Sequence, residues 1–364
     1  MNKTAAIFMC LLLTMVSVNA ARVITHGDQT ITAQEQGCTL IREIRGLAAL
    51  NCPQNTINKL NLQPDIRLHA MDTGANTQTR ANLVHDNNNT GAGRTIIILD
   101  TGYNYNHPDL FSSYLGGKDF VNNDNDPSDD NGHGSHVAGL ITADGINALA
   151  KGIAPNANIL SGKVLDAQGS GYFSDIVAAI YWAVDGEDGI WNTSDDPKAD
   201  AISMSIGTAS PYTYKGYCDN TLPDLTTAIK YAVDHNVVVV VAAGNSGNSG
   251  VSIPGCISYA TTIGAVNNKD RVASFSGRGK ALDIVAPGVS LYSTVLGTAY
   301  ASYSGTSMAT PIVSGIVALM KTAHPSYTPA QVENKLFTTA KDLGKAGKDT
   351  SYGYGRVDAH SAVQ

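Results

Sequence analysis

Short apolar runs alternate with amphipathic segments along most of the chain. The run Thr95–Leu99 is apolar and β-branched, as expected for a strand buried in a parallel sheet. Five further runs share this character: Ile159–Leu165, Ala201–Ile206, Val237–Ala243, Ala260–Val266 and Asp283–Ala286. Segments with helical spacing lie among and after them: His136–Thr142, Ser174–Val184, Asp224–His235, Ser307–Thr322 and Ala330–Ala340. The alternation predicts an α/β fold with three layers, in which helices cover both faces of a mostly parallel sheet.

The first 20 residues have the pattern of a secretory signal peptide. Lys3 precedes an apolar stretch from Ala5 to Val18, and Ala20 is a small residue suited to signal peptidase. A membrane-spanning helix needs about 20 apolar residues, and Arg22 ends this stretch too early. We therefore expect a secreted, extracellular protein with no membrane partner.

Composition and cysteine content agree with export of a globular protein. Hydrophobic residues make up 43% of the chain, charged residues 15%, and the formal net charge is −7, which argues against nucleic acid as a partner. Removal of the signal, with Cys10, leaves four cysteines: Cys38, Cys52, Cys218 and Cys256. One early and one late pair are consistent with two disulfides in an oxidising compartment, although four cysteines permit three connectivities.

The segment from residue 21 to about residue 69 differs from the rest of the chain. It contains the early cysteine pair, few aromatic residues and many Gln and Asn side chains. We interpret residues 21–69 as a separate small segment and residues 70–364 as the main domain.

Two predicted strands end in polar residues. Asp100 directly follows the run 95–99, and Asn245 follows the run 237–243. In a sheet of this kind, working side chains gather at the carboxyl ends of strands. The motif Asp100-Thr101-Gly102 alone leaves other interpretations open, because it also occurs in aspartic peptidases and as an ordinary turn.

His133 lies between Gly132 and Gly134, which let other backbone segments come close and leave the imidazole exposed. A helix-capping histidine is the simplest interpretation. A second hypothesis is a zinc site formed by His133, His136 and the acidic loop 124–130, because residues three apart share a helix face. No Glu lies between the two histidines, as the metallopeptidase motif requires.

Ser307 precedes Pro311 in the stretch SGTSMATP. Proline fits the first turn of a helix, so the pattern predicts that Ser307 lies at a helix N-terminus. Unpaired N–H groups and the positive end of the helix dipole favour a developing oxyanion there, although a serine at such a position is most often an N-cap.

Asp100, His133 and Ser307 together supply the groups of a catalytic triad. A serine hydroxyl needs a neutral imidazole to take its proton, and the imidazole needs a carboxylate that fixes its tautomer and stabilises its cation. Asn245 supplies an amide suited to an oxyanion hole. The combination indicates nucleophilic catalysis by serine.

From about residue 75 to its end, the chain resembles the subtilisin-like (subtilase) serine peptidases. The matching stretches are IIILDTG, NGHGSHVAGL, GSGYFSDI, SMSIG, VVVAAGN, DIVAPGVSLYST and SGTSMATP, and the chain order Asp, His, Ser is that of subtilisin. The resemblance implies the three-layer α/β/α subtilisin-like fold of a serine endopeptidase. It implies Asp100 as the orienting acid, His133 as base and then acid, Ser307 as nucleophile and Asn245 as oxyanion donor. His136 is then structural.

The resemblance also implies how a protein or peptide substrate binds. Ser170-Gly171-Tyr172 and Ser205-Ile206-Gly207 resemble the two edge segments that pair with an extended peptide. Ser252 is expected near the base of the pocket for the residue before the cut. No acidic residue is evident there, so strict Arg or Lys specificity is not indicated.

Calcium is the implied ion. Asp109 matches a family ligand position, where carbonyls of the loop 144–151 and Asp72 complete the site. A second candidate is the acidic loop 124–130, which is dense in the hard oxygen ligands that calcium prefers. Its candidate ligands are Asp124, Asp126 and Asp129. A solvated acidic turn remains the alternative for this loop.

The resemblance finally implies a zymogen that acts as a monomer. Residues 21–69 resemble a propeptide, shorter than usual, which would be both a partner and a substrate of the mature enzyme. Two rival interpretations remain: the zinc hydrolase described above, and a catalytically silent, calcium-dependent binding protein on the same scaffold. The complete triad argues against the second rival. Two insertions, 185–196 and 212–223, have no assigned role.

Overall fold

The structure, a computed structural model, describes residues 20–65, 67–70 and 78–364. The predicted signal peptide, apart from Ala20, lies outside these residues, and so does Asp72. Backbone contacts divide the chain into two units, residues 1–65 and 66–364. In the described part of the chain, no helix combines the length and the apolar character needed to cross a membrane.

In its described residues, 20–65, the first unit is a four-stranded antiparallel sheet with two helices. Its elements are β1 (Ala20–His26), α1 (Asp28–Glu35), β2 (Thr39–Ile44), β3 (Leu47–Pro53), α2 (Gln54–Leu60) and β4 (Gln63–Pro64). The strand order is β2-β3-β1-β4. Val23, Leu50 and Leu62 form a small core around the disulfide Cys38–Cys52. This unit therefore has a core and a covalent crosslink of its own.

The second unit combines strands and helices along its described residues, 67–70 and 78–364. Its strands are β5 (Arg67–Ala70), β6 (Thr95–Asp100), β7 (Tyr114–Asp119), β8 (Asn158–Lys163), β9 (Ser170–Tyr172), β10 (Ala201–Met204), β11 (Ile206–Gly207), β12 (Thr213–Tyr214), β13 (Val238–Ala242), β14 (Val251–Ser252), β15 (Thr261–Val266), β16 (Ile284–Pro287), β17 (Leu291–Thr294) and β18 (Tyr300–Tyr303). Its helices are α3 (Ala81–His85), α4 (His133–Thr142), α5 (Phe173–Asp185), α6 (Pro223–Asp234), α7 (Thr306–Ala323), α8 (Pro329–Thr338) and α9 (Ala359–Ala362).

A seven-stranded parallel sheet forms the centre of this unit. The strand order is β16-β15-β13-β10-β6-β8-β7, and every neighbouring pair is parallel. Helices α4 and α7 pack together on one face, and α5 and α6 pack together on the other. Because helices cover both faces, the central strands β10 and β13 are buried along their whole length. The predicted three-layer α/β/α fold is confirmed.

The predicted strands and helices of this unit are present, and their ends differ from the prediction by no more than a helical turn. The sequence did not predict the edge strand β7, because its residues YLGGKD contain two glycines and no apolar run. Both predicted disulfides are also present. The second joins Cys218 to Cys256 and so ties the insertion 212–223 to the loop that follows β14.

Pro311 lies deeper in α7 than predicted. The helix begins at Thr306, so Ser307 is at its N-terminus as expected, but Pro311 is inside the helix and not in its first turn. A proline lacks the N–H that would bond to the carbonyl four residues earlier, here that of Ser307. The Ser307 carbonyl instead accepts a hydrogen bond from the Ser205 hydroxyl at 2.7 Å. Pro311 thus leaves this carbonyl available for a contact with Ser205, which lies between β10 and β11.

Candidate active site

The four predicted catalytic residues are carried by strand ends and helix starts. Asp100 is the last residue of β6, and Asn245 follows β13. His133 is the first residue of α4, and Ser307 is the second residue of α7. Since β6 and β13 are parallel and separated only by β10, their carboxyl ends lie on the same edge of the sheet.

A buried hydrogen bond joins Asp100 and His133. His133 Nδ1 lies 2.7 Å from Asp100 Oδ1, and the two side chains are 1% and 0% exposed. The same carboxylate oxygen accepts the N–H of Thr101 at 2.7 Å. With Nδ1 donating to the carboxylate, Nε2 is the ring nitrogen that can accept a proton.

Glycine is required where the His133 turn meets the end of β6. A Cβ atom on Gly134 would lie 2.2 Å from the carbonyl oxygen of Gly102. A Cβ on Gly102 would lie 2.6 Å from the carbonyl oxygen of Pro127, and its φ of +123° is in the region that favours glycine. The two glycines therefore let three backbone segments meet beside the Asp100–His133 pair.

Ser307 is tied to the strand edge by a reciprocal pair of hydrogen bonds. Its hydroxyl donates to the carbonyl of Ser205 at 3.1 Å, and the Ser205 hydroxyl donates to the carbonyl of Ser307. Ser205 lies between β10 and β11. The serine is therefore fixed against the residue that begins one predicted substrate-binding edge.

Asn245 is oriented by the start of α7. Its Oδ1 accepts hydrogen bonds from the N–H of Thr306 at 3.0 Å and from the Thr306 hydroxyl at 3.2 Å. The N–H of Gly244 donates in turn to the Thr306 hydroxyl at 3.1 Å. Because Oδ1 faces Thr306, the amide group Nδ2 is the part of Asn245 that is directed elsewhere and can donate to an anion.

The two predicted substrate-binding edges, β9 and β11, do not pair with each other. Strand β5 lies between them and is antiparallel to both. Ala70 lies opposite Ile206, and Leu68 lies opposite Gly171. A segment of the chain itself thus takes the position of an added strand.

Ser252 lies in β14, beside the end of β11. It is fully buried, and its hydroxyl donates to the carbonyl of Thr208 at 2.8 Å. Thr208 directly follows β11. The structure therefore places a neutral hydroxyl, already bonded to the backbone, next to this edge.

Asp109 does not present the arrangement that a calcium ligand needs. The residue is fully buried. Its Oδ1 accepts the N–H of Ile146 at 2.7 Å, and its Oδ2 accepts the Tyr300 hydroxyl at 2.8 Å and the N–H of Asn147 at 3.3 Å. Hydrogens of the loop 144–151 therefore face the carboxylate, where a calcium ion needs oxygen lone pairs. The residues around Asp109 do not fit the ion.

Asp129 is likewise an internal hydrogen-bond acceptor. Although it belongs to the acidic loop 124–130, it is only 8% exposed, and its two oxygens accept five hydrogen bonds. The geometry does not support the prediction that Asp129 binds calcium, because those donors already surround the carboxylate.

Asp124 and Asp126 remain exposed in the same loop. Asp124 Oδ1 accepts the N–H of Asp126 at 2.9 Å, and Asp126 Oδ1 accepts the hydroxyl of Tyr105 at 2.8 Å. These two carboxylates are open to solvent. Within the described ranges, no three His, Cys, Asp or Glu side chains converge as a metal site of side chains alone would require.

His136 is part of the core. Its Nε2 lies 3.2 Å from the carbonyl oxygens of Leu291 and Ala301, and its ring stacks on Tyr303. Burial, together with the nearby His133, lowers the pKa of His136 to about 3. His136 is therefore neutral at ordinary pH and bonded to the backbone. Because no three metal-binding side chains converge in the described part of the chain, the structure does not support the zinc-site hypothesis.

Two residues at the site were not predicted from the sequence. Lys163, the last residue of β8, lies opposite Asp100 in the sheet. Its buried Nζ donates to the carbonyls of Thr101 at 2.5 Å and Leu165 at 3.1 Å, and to Asp130 at 2.6 Å. The Thr101 hydroxyl donates to Asp129 at 2.9 Å. The sequence contained a signal for Lys163, because a lysine at the end of a buried strand is unusual. It contained no comparable signal for Thr101.

A buried carboxylate bonded to histidine, on the strand edge that also holds a serine at a helix start, is the arrangement that serine hydrolases use. A model of the subtilase family matches residues 91–355. A thermophilic serine proteinase of Bacillus sp. (strain AK1) is 40% identical over 273 residues, which are 75% of this chain and 62% of that protein.

Two other relatives align over more of their length. Subtilisin E of Bacillus subtilis (strain 168) is 38% identical over 293 residues, 79% of this chain and 70% of that protein. M-protease of Shouchella clausii (strain KSM-K16) is 35% identical over 364 aligned positions, 96% of this chain and 88% of that protein. The chain belongs to the subtilase family of serine endopeptidases.

Proposed function

We propose that this chain is a secreted serine endopeptidase, made as a zymogen, that hydrolyses protein or peptide substrates through an acyl-enzyme on Ser307. The observation that carries the proposal is the buried Asp100–His133 hydrogen bond at the strand edge to which Ser307 is tied. The enzyme acts as a monomer and needs neither nucleic acid nor a membrane.

Acylation uses the three residues in turn. His133 Nε2 takes the proton of the Ser307 hydroxyl while Oγ bonds to the substrate carbonyl carbon. Asp100 stabilises the imidazolium through Nδ1 at 2.7 Å. When the C–N bond breaks, His133 gives the proton to the leaving amine. Deacylation repeats the sequence, with water in place of the serine hydroxyl.

The negative charge of the tetrahedral intermediate forms beside the start of α7. The Nδ2 group of Asn245 donates to this oxyanion, because Thr306 holds the other end of the amide. The dipole of α7, an 18-residue helix, adds a positive potential at the same place. Both groups are positioned before the reaction begins.

Substrate binds as a strand between β9 and β11, in the position that β5 takes in this structure. Backbone hydrogen bonds on two sides favour an extended peptide and depend little on its sequence. Ser252 near the end of β11 presents a neutral hydroxyl that is bonded to Thr208. We expect a pocket that accepts uncharged residues before the cut.

The segment from residue 21 to about residue 70 is the propeptide. Ala70 lies opposite Ile206, and the next residue toward the nucleophile is Ser205, which is bonded to Ser307. The edges β9 and β11 hold residues that precede the cut, so the self-cleaved bond lies beyond Ala70 and not after residue 69. Covalent attachment gives this segment a high effective concentration at the site.

Secretion is supported by the disulfides Cys38–Cys52 and Cys218–Cys256, since such bonds persist in oxidising compartments. Calcium is proposed as a structural ion at the turn that carries the exposed Asp124 and Asp126, and not at Asp109. The catalytic steps do not use this ion.

Active-site labelling tests the proposed function against its rivals. A fluorophosphonate should label the mature protein at Ser307, as located by peptide mass spectrometry. Ser304→Ala, a change three residues away, should retain the label, whereas Ser307→Ala should lose it. Activity that phenanthroline abolishes, in a protein that is not labelled, would show a zinc hydrolase. A protein that is neither labelled nor able to hydrolyse any peptide in a library would be a catalytically silent binding protein on this scaffold.

A further inference from the structure

The Asp129 carboxylate accepts hydrogen bonds from residues on either side of the catalytic pair Asp100 and His133. Its Oδ1 accepts the Thr101 hydroxyl at 2.9 Å and the N–H groups of Asn131 at 3.0 Å and Gly132 at 2.9 Å. Its Oδ2 accepts the N–H of Ser135 at 2.8 Å and the Ser135 hydroxyl at 2.5 Å. The donors come from the residue after Asp100 and from both sides of His133.

Thr101 connects the two sides directly. Its hydroxyl donates to Asp129 and accepts the N–H of Gly134 at 2.9 Å. Thr101 follows Asp100 in the chain, and Gly134 follows His133. One hydroxyl and one carboxylate therefore fix the neighbours of both members of the catalytic pair.

The packing leaves this arrangement little freedom. The backbones at Gly102, Pro127 and Gly134 approach so closely that a Cβ on either glycine would overlap a carbonyl oxygen. The Thr101 carbonyl is held separately by the Lys163 ammonium. The position of Thr101, the residue after Asp100, thus depends on two buried, oppositely charged groups, Asp129 and Lys163.

The carboxylate of Asp129 is held in its charged form. Burial alone would raise its pKa, but hydrogen bonds from Gly132, Ser135 and Asn131 lower the pKa below its usual value. An asparagine at this position has only one oxygen that can accept hydrogen bonds. Its NH₂ group would take the place of the other carboxylate oxygen and would face N–H or O–H donors there.

We propose that Asp129 is a positioning residue for catalysis, which acts through Thr101 and the His133 turn to keep Asp100 Oδ1 within hydrogen-bond distance of His133 Nδ1. It does not touch the substrate. The inference rests on the proposed peptidase function, because it assigns Asp129 a role in the same reaction.

Asp129→Asn tests this role in the full-length precursor and the mature enzyme. We expect kcat to fall by about 10²-fold with little change in KM, because the change displaces the reacting groups and leaves the substrate edges intact. We expect the wild type to show a downfield proton resonance of His133 Nδ1–H, because this hydrogen bond is short, and we expect the variant to lose or shift it. A role in stability alone would lower the melting temperature without moving this resonance or kcat.

Asp349→Asn is the matched control. Asp349 also accepts three backbone N–H groups, from Lys345, Ser351 and Tyr352, but lies outside the catalytic site. We expect a lower melting temperature with kcat and the His133 resonance unchanged.

Thr101→Val keeps the proposal testable if Asp129→Asn does not fold. It removes only the bridging hydroxyl, and it should lower kcat in the same direction. If both variants fold, their combined effect on kcat should be smaller than the product of the single effects, because they interrupt one connection. Wild-type kcat and an unchanged resonance in the folded variants would overturn the inference. A wild-type protein that hydrolyses no peptide would instead overturn the proposed function.

Discussion

The helices α4 and α7 both carry a catalytic residue in their first turn, but the N–H groups at their N-termini donate to oxygens of different charge. At α4, the carboxylate of Asp129 accepts N–H groups on both sides of His133. At α7, the neutral amide oxygen of Asn245 accepts the N–H of Thr306, and the first turn contains no acidic residue. One N-terminus contains a permanent anion, and the other does not.

The difference matches the charge that each catalytic residue meets during the reaction. His133 becomes a cation when it takes the proton, so nearby carboxylates favour the step. An anion develops beside Ser307, so a permanent carboxylate there would oppose it and a positive helix end assists it. The comparison teaches that similar helix starts can serve opposite electrostatic purposes according to the residue that caps them.

Among changes around these helix starts, removal of the Asp100 carboxylate, which is bonded to the general base His133, should have the largest effect on kcat. We expect Asp100→Asn to lower kcat by roughly 10⁴-fold, because the amide does not stabilise the imidazolium or the required tautomer. Steady-state kinetics on an extended peptide, together with the rate of fluorophosphonate labelling, measures the loss. Equal rates for variant and wild type would remove Asp100 from the mechanism.

Changes at Asn245 should have the next largest effect. Asn245→Ala should lower kcat by roughly 10²–10³-fold and leave KM nearly unchanged, because one transition-state donor is lost. Asn245→Asp is a sharper test, since it has nearly the same shape and makes the start of α7 resemble that of α4. We expect it to lose at least as much activity as the alanine variant. A more active aspartate variant would contradict the proposed role of charge at α7.

Low pH should reduce the contribution that the Asp129 carboxylate, at the start of α4, makes to the stability of the folded protein. Its pKa is lower in the folded protein than its usual value, so its contribution to stability is complete above the unfolded pKa of about 3.9 and is lost as the pH falls through the folded pKa. The measurement compares the melting temperatures of two proteins, Ser307→Ala and the double variant Ser307→Ala, Asp129→Asn, because Ser307→Ala prevents self-digestion. The difference in melting temperature should be largest at neutral pH and should shrink below about pH 4. A difference that does not depend on pH would show that folding does not lower the pKa of Asp129.

Chelation should have a smaller effect, on stability alone. If calcium binds at the turn of Asp124 and Asp126, EDTA should lower the melting temperature of the wild type, since a ligand at 100 times its Kd stabilises by about 2.7 kcal/mol. The double variant Asp124→Asn and Asp126→Asn should lose this response. Asp109→Asn should lower the melting temperature but keep the response, because Asp109 is bonded to protein donors. An EDTA response that disappears only in Asp109→Asn would place the ion at Asp109.

The strands that could be predicted from the sequence are those made of continuous apolar residues. The run VVVVA of β13 and the apolar run of β6 are buried on both faces, so their composition alone marks them as strands. Asp100 was predicted to lie at a strand end because it terminates such a run. In the first unit, the strand β2 is mostly exposed and mixed in composition, and no comparable pattern marked it.

The acidic residues look alike in the sequence but have different surroundings in the structure. Asp124, Asp126 and Asp129 look equivalent in the sequence, but only Asp129 is buried. Its burial follows from the close approach of Gly102 to the backbone of residues 127–129, a contact between segments that are distant along the chain. The hydrogens directed at Asp109 likewise come from the loop 144–151 and from β18. Contacts of this kind depend on the fold and not on local composition.

The central claim is that Ser307 is the nucleophile of a peptidase that matures itself. The most direct measurement is the intact mass and N-terminal sequence of the secreted Ser307→Ala protein beside those of the wild type, with no other peptidase present. We expect the wild type to lose the segment that begins at Ala21, by a cut beyond Ala70, and the variant to retain it. Without the hydroxyl no acyl-enzyme can form, and the residual rate is small. A Ser307→Ala protein with the same mature N-terminus as the wild type would contradict the claim.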